Sequence, residues 1–431
     1  AVTFRNPRRP ALICMTVWLT APVATFAQPQ SASESLAPYL RQPTEKEARQ
    51  LDTGWQTIGF HESSAFPANT ISAIDKIKPL VDETYGPDHP LALRLDTLRA
   101  GSLSRIGKHQ EAEAALATNV AALEQRLGPD KGWTYLARQD RARNFVQLGR
   151  LAEAAALFEE NAQVIARQPG LDPLAQARLG LDIAYVRRMQ GRFAEAESLA
   201  RLACDAERAA PAPEPVSVAV ACASLARSLT GLGRIDEASA LARSVLEAHE
   251  AKDVGRARLL FALAEAEGEA GRTFETQQHY TEAAKLMLDV EGYDAPNTLQ
   301  ATARARLALV EALGRSPMVA TGIVSDGLPI AFDLGQCEGT PDSLSAAELR
   351  LSRAATDFRG EEQRACLETI RDFLAVGHGP DAPATLEVQE RLVEVIDRTG
   401  DAEPALEEAR RLLAAREKVN GPAHPATARA M

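Results

Sequence analysis

The stretch that decides the fold is GRIDEASALA, at residues 233–242. Three related stretches precede it in steps of 42 residues: GKHQEAEAAL at 107–116, GRLAEAAALF at 149–158 and GRFAEAESLA at 191–200. Each begins with a glycine and has a Glu-Ala pair beginning four residues later. A period of this size indicates an array of stacked supersecondary units. Such arrays usually bind partners along an extended surface.

Composition favours a helical interior built from small side chains. The 431 residues are 45% hydrophobic but only 5% aromatic, so alanine and leucine must fill most of the core. This balance suits closely packed helices better than strands. The formal net charge is −11, and no basic domain or interleaved aromatic platform occurs. These features argue against nucleic-acid binding.

The amino end has the pattern of an export signal. Arg5, Arg8 and Arg9 precede an uncharged apolar stretch that ends at Ala27, a small residue suited to cleavage. We therefore expect a signal peptide at residues 1–27 and an exported, periplasmic protein; a retained membrane anchor is the alternative. Loss of the three arginines would take the net charge from −11 to −14 and leave no integral membrane segment. A chain of that charge is not attracted to anionic membranes.

Four segments are expected after the signal, on the basis of composition and repeat register. They are a linker with a capping helix at 28–67, a regular array at 68–314, an irregular or degenerate segment at 315–343, and C-terminal repeat units at 344–431. The last unit is incomplete because the chain ends inside a helical pattern. We therefore expect a fragment of a longer protein.

A recurring junction marks the helix boundaries. YGPDHP at 85–90 ends a helix expected from about 68 to 84, and related junctions follow in the later units. Glycine suits the left-handed residue that ends a helix, and proline suits the first turn of the next one. Between junctions each unit holds two helices separated by the periodic glycine. Apolar residues at three- and four-residue spacing give each helix one stripe to bury.

These features together resemble tetratricopeptide repeats of the 42-residue kind found in kinesin light chains and in exported bacterial scaffold proteins. The resemblance rests on the Gly-then-Glu-Ala stretch, the helix pairs and the Gly-Pro-Asp-His-Pro junctions. It covers roughly residues 68–431 and is weakest at 315–360. It implies an all-α fold, a right-handed α-solenoid of antiparallel helix hairpins, the TPR superhelix.

In this family the first helices of the hairpins line a concave groove that binds extended or helical peptides. Transferring that position by the periodic glycine implies a partner-binding groove formed by Arg94, Arg105, Gln139, Asp140, Arg143, Arg178, Asp182, Tyr185, Arg188, Ser224, Arg227, Arg258 and Phe261. Asp140 and Asp182 stand where the family often has an asparagine that bonds peptide backbone. An ionised aspartate can only accept hydrogen bonds.

Seven of these residues are arginines on successive first helices of an acidic chain. Guanidinium groups bind carboxylates in a two-pronged geometry. One hypothesis is therefore that the groove binds a protein or peptide through an acidic segment or a C-terminal carboxylate. The alternative is that these arginines pair with glutamates of neighbouring helices and only solvate the array.

Four cysteines follow the expected signal: Cys204, Cys222, Cys337 and Cys366. An even number in an exported protein favours disulfides. Cys204 precedes the turn near residue 212 by eight residues and Cys222 follows it by ten. On antiparallel helices rising ~1.5 Å per residue, the two lie about 3 Å from level. A disulfide and buried free thiols both fit this spacing, and Cys337 with Cys366 is the second candidate pair.

Nothing in the sequence predicts catalysis, a cofactor or a metal site. No two histidines have the spacing of a helical metal site; they are His61, His89, His109, His249, His279, His378 and His424. There is no Gly-x-Ser-x-Gly elbow, phosphate-binding loop or His-Glu-x-x-His motif. We therefore expect a non-catalytic interaction scaffold. The alternative is the regulatory or sensor array of a larger protein with a downstream caspase-like protease or signalling ATPase domain.

Overall fold

The structure is a computed structural model. It describes residues 41–63, 66–167, 173–292, 295–313, 337, 339–356, 358–400 and 402–431. The expected signal peptide at 1–27 and most of the irregular segment at 315–343 lie outside these residues. Both therefore stay predictions.

The described part of the chain consists of α-helices joined by short connections, and it contains no strand. In chain order the helices are α1 Glu45–Ser63, α2 Pro67–Tyr85, α3 Pro90–Arg105, α4 His109–Leu127, α5 Gly132–Gln147, α6 Leu151–Ala166, α7 Pro173–Met189, α8 Phe193–Ala209, α9 Pro215–Gly231, α10 Ile235–Ala248, α11 Val254–Glu269, α12 Thr273–Glu291, α13 Pro296–Leu313, α14 Leu344–Thr356, α15 Gly360–Gly377, α16 Pro383–Arg398, α17 Ala402–Asn420 and α18 Pro425–Ala430. Each packs mainly on its neighbours in sequence. The predicted right-handed α-solenoid of antiparallel hairpins is confirmed.

The periodic glycines close the first helix of each hairpin. Gly233 has φ +74°, a left-handed value that side chains with a Cβ atom disfavour. Beyond it the Arg234 amide donates to the Leu229 carbonyl at 2.9 Å, and the Gly233 amide donates to the Thr230 carbonyl, also at 2.9 Å. This pair of bonds satisfies the last carbonyls of α9 and turns the chain into α10.

At two junctions a histidine caps the helix that follows. The Nδ1 atoms of His89 and His424 accept the amide protons of Leu91 and Ala426, at 3.1 and 3.0 Å. A proline stands at the first helical position in both cases, where its missing amide proton costs nothing. The side chains of these two histidines therefore act as N-terminal helix caps.

Alanine and leucine fill the interior, and α9 shows why. It packs against α7, α8, α10 and α11, and thirteen of its residues are buried. Ala219, Ala223 and Ala226 are almost fully buried and allow close approach of the neighbouring helices. Leu229 is buried as well, and burial of such a side chain contributes about 1.5–3 kcal/mol.

The described residues contain two disulfides. Cys204 of α8 is joined to Cys222 of α9, with Cα atoms 4.8 Å apart, inside the alanine-rich core. Cys337 is joined to Cys366 of α15, with Cα atoms 5.3 Å apart. The first pair links two antiparallel helices across the junction at residues 210–214. The sequence spacing places these two cysteines at nearly the same height along the helices.

The array also closes on itself. The C-terminal helices reach the turns that join α7 to α8 and α9 to α10. A Cβ atom added to Gly191 would lie 2.8 Å from Cγ1 of Val419, and one on Gly233 would lie 3.1 Å from Cδ2 of His424. The Nε2 group of His424 donates to the Thr230 carbonyl at 3.1 Å.

A further contact extends this closure to the turn that joins α5 to α6. A Cβ atom added to Gly149 would lie 3.2 Å from Cζ of Phe373 on α15. One hydrophobic cluster contains both Phe158 of α6 and Leu367 of α15. We call the contact between these three turns and residues 373–424 the seam. The solenoid thus forms a closed turn, in which units far apart in sequence share a core.

Candidate partner-binding groove

The predicted groove residues all lie on the first helices of successive hairpins. By helix they are Arg94 and Arg105 on α3; Gln139, Asp140 and Arg143 on α5; Arg178, Asp182, Tyr185 and Arg188 on α7; Ser224 and Arg227 on α9; and Arg258 and Phe261 on α11. Side-chain hydrogen bonds connect α5 to α7 and α9 to α11 within this row.

Asp182 links α5 to α7. Its carboxylate accepts hydrogen bonds from Gln139 at 2.8 Å and from Arg143 at 2.9 and 3.3 Å. The Asp182 side chain is only 5% exposed, so these bonds replace the water that the carboxylate lost on folding. The acceptor capacity of Asp182 is thus largely used within the protein.

Arg227 makes the equivalent connection from α9 to α11. Its guanidinium group donates to both oxygens of Glu265 at 2.7 and 2.6 Å and lies 4.7 Å above the ring of Phe261. Burial alone would raise the pKa of Glu265, but Arg227 and the more distant Arg188 hold it below its usual value.

Arg188 differs from the other groove arginines of α5, α7 and α9. Its guanidinium group lies 5.1 Å above the ring of Tyr185, and no hydrogen-bond acceptor for it occurs among the described residues. Burial lowers its pKa to about 10, and repulsion from Arg227 and Arg258 adds to that shift, while Glu265 opposes it. The half-buried cation therefore lacks a counter-anion in hydrogen-bonding contact.

A second charged cluster lies where α1, α3 and α5 meet. Arg105 donates to Glu62 of α1 at 2.5 Å. Arg94 and Asp140 attract one another, yet neither makes a hydrogen bond to another described residue. Burial raises the pKa of Asp140 to about 6, against the pull of Arg143 and Arg94. Unused donor and acceptor capacity therefore remains on α3 and α5.

Three other predicted residues are occupied by packing. Arg178 donates to Glu207 of α8 at 2.7 Å, and Glu207 is 2% exposed, so this pair holds one hairpin together. Ser224 is buried. Phe261 is also buried and packs edge-to-face on Tyr280 with ring centroids 5.0 Å apart. These three support the groove from beneath and add little exposed surface.

The row of charges continues beyond the predicted set. Arg304 of α13 donates to Glu348 of α14 at 2.8 Å and to both oxygens of Glu387 of α16 at 2.7 and 2.8 Å. Arg391 contacts Glu387 at 3.7 Å. These side chains are 13–26% exposed and form a third charged cluster. The sequence prediction missed it.

The same glycine register would have found most of the missed residues. Glu265 stands six positions before Gly271, as Arg227 does before Gly233. Likewise, Arg304 stands ten before Gly314, the offset at which Gln139 precedes its own glycine. The prediction left out Glu265 in the fifth unit and did not extend the register to the later units.

Most arginines of the candidate groove are therefore paired with carboxylates of the same protein. Arg105, Arg143, Arg178 and Arg227 pair with carboxylates of neighbouring helices, as the alternative interpretation of the arginines required. That interpretation does not describe Arg188. Exposed acceptors and donors are thus concentrated at a few positions instead of along a uniform cationic stripe.

The described residues contain neither a metal site nor a membrane-spanning helix. No group of three or more histidine, cysteine, aspartate or glutamate side chains there is placed to hold a metal ion. No helix in this part of the chain combines the length and apolar character needed to cross a membrane.

The described helices form an α-solenoid of antiparallel hairpins, and one segment of the chain is similar to a known repeat family. Residues 218–252, which span α9 and α10, match the family model of the tetratricopeptide repeat. A comparison with curated protein sequences gives no match.

Two solved Rap structures share the fold at low sequence identity. A Rap protein complexed with competence and sporulation factor has a TM-score of 0.56 and 12% identity, with coverage of 87% of this chain and 99% of that one. The Rap conjugation gene regulator of plasmid pLS20, in complex with the Phr* peptide, has a TM-score of 0.52, 14% identity, and coverage of 88% and 97%. Kinesin-light-chain TPR-like repeats of Podosopora anserina have a TM-score of 0.39, 20% identity, and coverage of 47% and 98%.

Proposed function

We propose that this chain is a non-catalytic scaffold that binds a peptide or an extended segment of a partner protein along its groove. The observation that carries the proposal is unsatisfied polar capacity on one row of helices. Arg94, Asp140 and Arg188 make no hydrogen bond to another described residue, although all three are at least half-buried. Buried polar groups normally have partners. A bound backbone and its side chains would supply them.

The comparisons support this proposal at the level of fold. The pLS20 Rap regulator, which shares the helical-repeat fold, was solved in complex with the Phr* peptide. A superhelix presents repeated side chains at regular spacing along one surface, and that geometry suits an extended partner. Here the polar groups are spread over several helices, whereas catalysis needs groups that converge on one point.

The proposal is tested by capture of peptides on the immobilised full chain. Asp140→Asn and Arg94→Gln should each weaken binding of captured peptides by about tenfold, because each removes one charged hydrogen bond. Arg411→Gln is the matched control, since this arginine pairs with Glu407 on the surface with about two thirds of each side chain exposed. Equal binding by all three variants would contradict a role for the groove.

We also propose that the protein is exported. The basic and apolar pattern of residues 1–27 and the disulfides at Cys204–Cys222 and Cys337–Cys366 support this location, because disulfides persist in oxidising compartments. A fusion of residues 1–60 to a reporter that is active only outside the cytoplasm tests it. Activity should depend on Arg5, Arg8 and Arg9, and an inactive fusion would contradict export.

A further inference from the structure

One arginine of the groove has a guanidinium group that lies against an aromatic ring but has no hydrogen-bond acceptor among the described residues. Arg188 is half-buried and lies above the ring of Tyr185, with centroid distance 5.1 Å. Its neighbour in sequence, Arg187, is engaged by Glu159 and by Glu195, the latter at 3.4 Å. Adjacent arginines on α7 therefore differ in one respect: only Arg187 has carboxylate partners among the described residues.

The surroundings of Arg188 favour an anion. Arg227 and Arg258 both repel the Arg188 charge, and Glu265 is the acidic group that opposes them. The hydrogen bonds of Glu265, however, come from Arg227, at 2.7 and 2.6 Å. Arg227 thus engages this carboxylate, and the acidic group that acts on Arg258 is Glu291. A carboxylate bound at Arg188 would give this arginine the hydrogen-bonding anion that Glu265 gives to Arg227.

Resting on the proposed function, we propose that Arg188 is the anchor that binds a carboxylate of the captured peptide. The neighbouring pair shows that this chemistry fits the groove, because Arg227 lies on the Phe261 ring and holds Glu265 through two bonds. Arg188 lies on the Tyr185 ring in the same manner and offers the same two-pronged donor set. The aromatic ring restricts the guanidinium, so less conformational freedom is lost on binding.

A first experiment tests the anion site without any peptide. Acetate is titrated into the full chain while the arginine side-chain Nε–H resonances are followed by NMR, with chloride at equal ionic strength as the reference. The Arg188 signal, assigned by its loss in Arg188→Lys, should shift saturably with acetate. The Arg187 signal should stay in place, since its donors are occupied. An Arg188 signal that moves no more than that of Arg187 would overturn the proposal.

A second experiment asks where the carboxylate comes from. Short random peptides with free C-terminal carboxylates are compared with amidated copies and with copies in which Glu and Asp are replaced by Gln and Asn. Affinity should fall about 10- to 100-fold when the recognised carboxylate is removed. The pair of copies that loses affinity identifies a terminal or a side-chain carboxylate.

Variants complete the design. Arg188→Met, which keeps the stem over Tyr185, should lower affinity for carboxylate peptides by the same factor, and Arg187→Met should not. If peptides bind with no dependence on their carboxylates, this inference is wrong while the proposed function stands. If no peptide is captured, the proposed function fails for peptides, and the acetate titration still decides whether Arg188 is an anion site.

Discussion

The Arg304 cluster allows us to predict the sign and the size of a change in folding stability. Arg304→Met removes the cation that donates to Glu348 and Glu387 and leaves its stem in place. Glu387 keeps Arg391 at 3.7 Å, so the group left without a charged partner is mainly Glu348, whose side chain is 13% exposed. Removal of one partner from a buried pair costs about 3–5 kcal/mol. Because the site is partly exposed, we expect the free energy of unfolding to fall by about 3 kcal/mol near neutral pH.

The loss should shrink as the pH falls. In the native protein Arg304 and Arg391 outweigh burial and hold the pKa of Glu387 at about 2, whereas burial raises the pKa of Glu348 despite Arg304. Without Arg304 the pKa values of both carboxyl groups rise. Each ionised carboxylate then destabilises the folded protein at pH values above its unfolded pKa, and this effect disappears once the carboxylate is protonated. The difference between variant and native protein should therefore be largest at about pH 8 and decrease as the pH falls; the part due to Glu348 is lost first, and the part due to Glu387 persists until the pH approaches its native pKa of about 2.

Urea unfolding followed by far-UV circular dichroism measures this effect. Arg304→Met with Glu348→Gln should recover more than half of the lost stability, since the amide carries no charge. Arg411→Met removes an arginine that is 64% exposed and should change stability by less than about 0.5 kcal/mol. A loss that is independent of pH, or one that the double variant does not recover, would refute the electrostatic reasoning.

Three further predictions concern the remaining features. Serine at both Cys204 and Cys222 should cost about 3 kcal/mol for a loop of 18 residues, and the variant and the native protein should unfold at the same urea concentration once both are chemically reduced. Gly191→Ala, at φ +77° and in contact with the seam, should cost about 1–2 kcal/mol more than Gly400→Ala, where the added methyl group meets nothing within 4 Å; equal losses in thermal unfolding would mean that the seam is not formed. Asp140→Asn should raise stability by about 2 kcal/mol at pH 8 and by almost nothing at pH 4, because burial raises the pKa of Asp140 to about 6 and only the charged form is penalised; a gain that does not change with pH would contradict this.

Much of the secondary structure was readable from the sequence because its signals are local. The helix expected from about 68 to 84 extends from Pro67 to Tyr85, and the junction glycine at 86 has φ +100°. A glycine that ends a helix, a proline that begins one and an apolar stripe all act within a few residues. Repetition at 42 residues then identifies the hairpin as the unit of the array.

The groove was predictable in outline and not in detail. The glycine register placed the chosen residues on successive first helices, because the register repeats with the hairpin. It does not show which side chains are paired, since the partners come from other helices. Arg227 meets Glu265 across 38 residues, and Arg143 meets Asp182 across 39. For that reason the sequence does not show that Arg187 pairs with carboxylates, whereas the adjacent Arg188 has no such partner among the described residues.

The sequence by itself determined that the chain is an array of helix hairpins, because each unit carries its own turns and apolar stripes. Only the tertiary structure decided that the array closes on itself. The rotation between successive units is small and accumulates over the whole solenoid. Contacts such as His424 with Thr230, 194 residues apart, depend on that sum, and no local pattern around either residue encodes it.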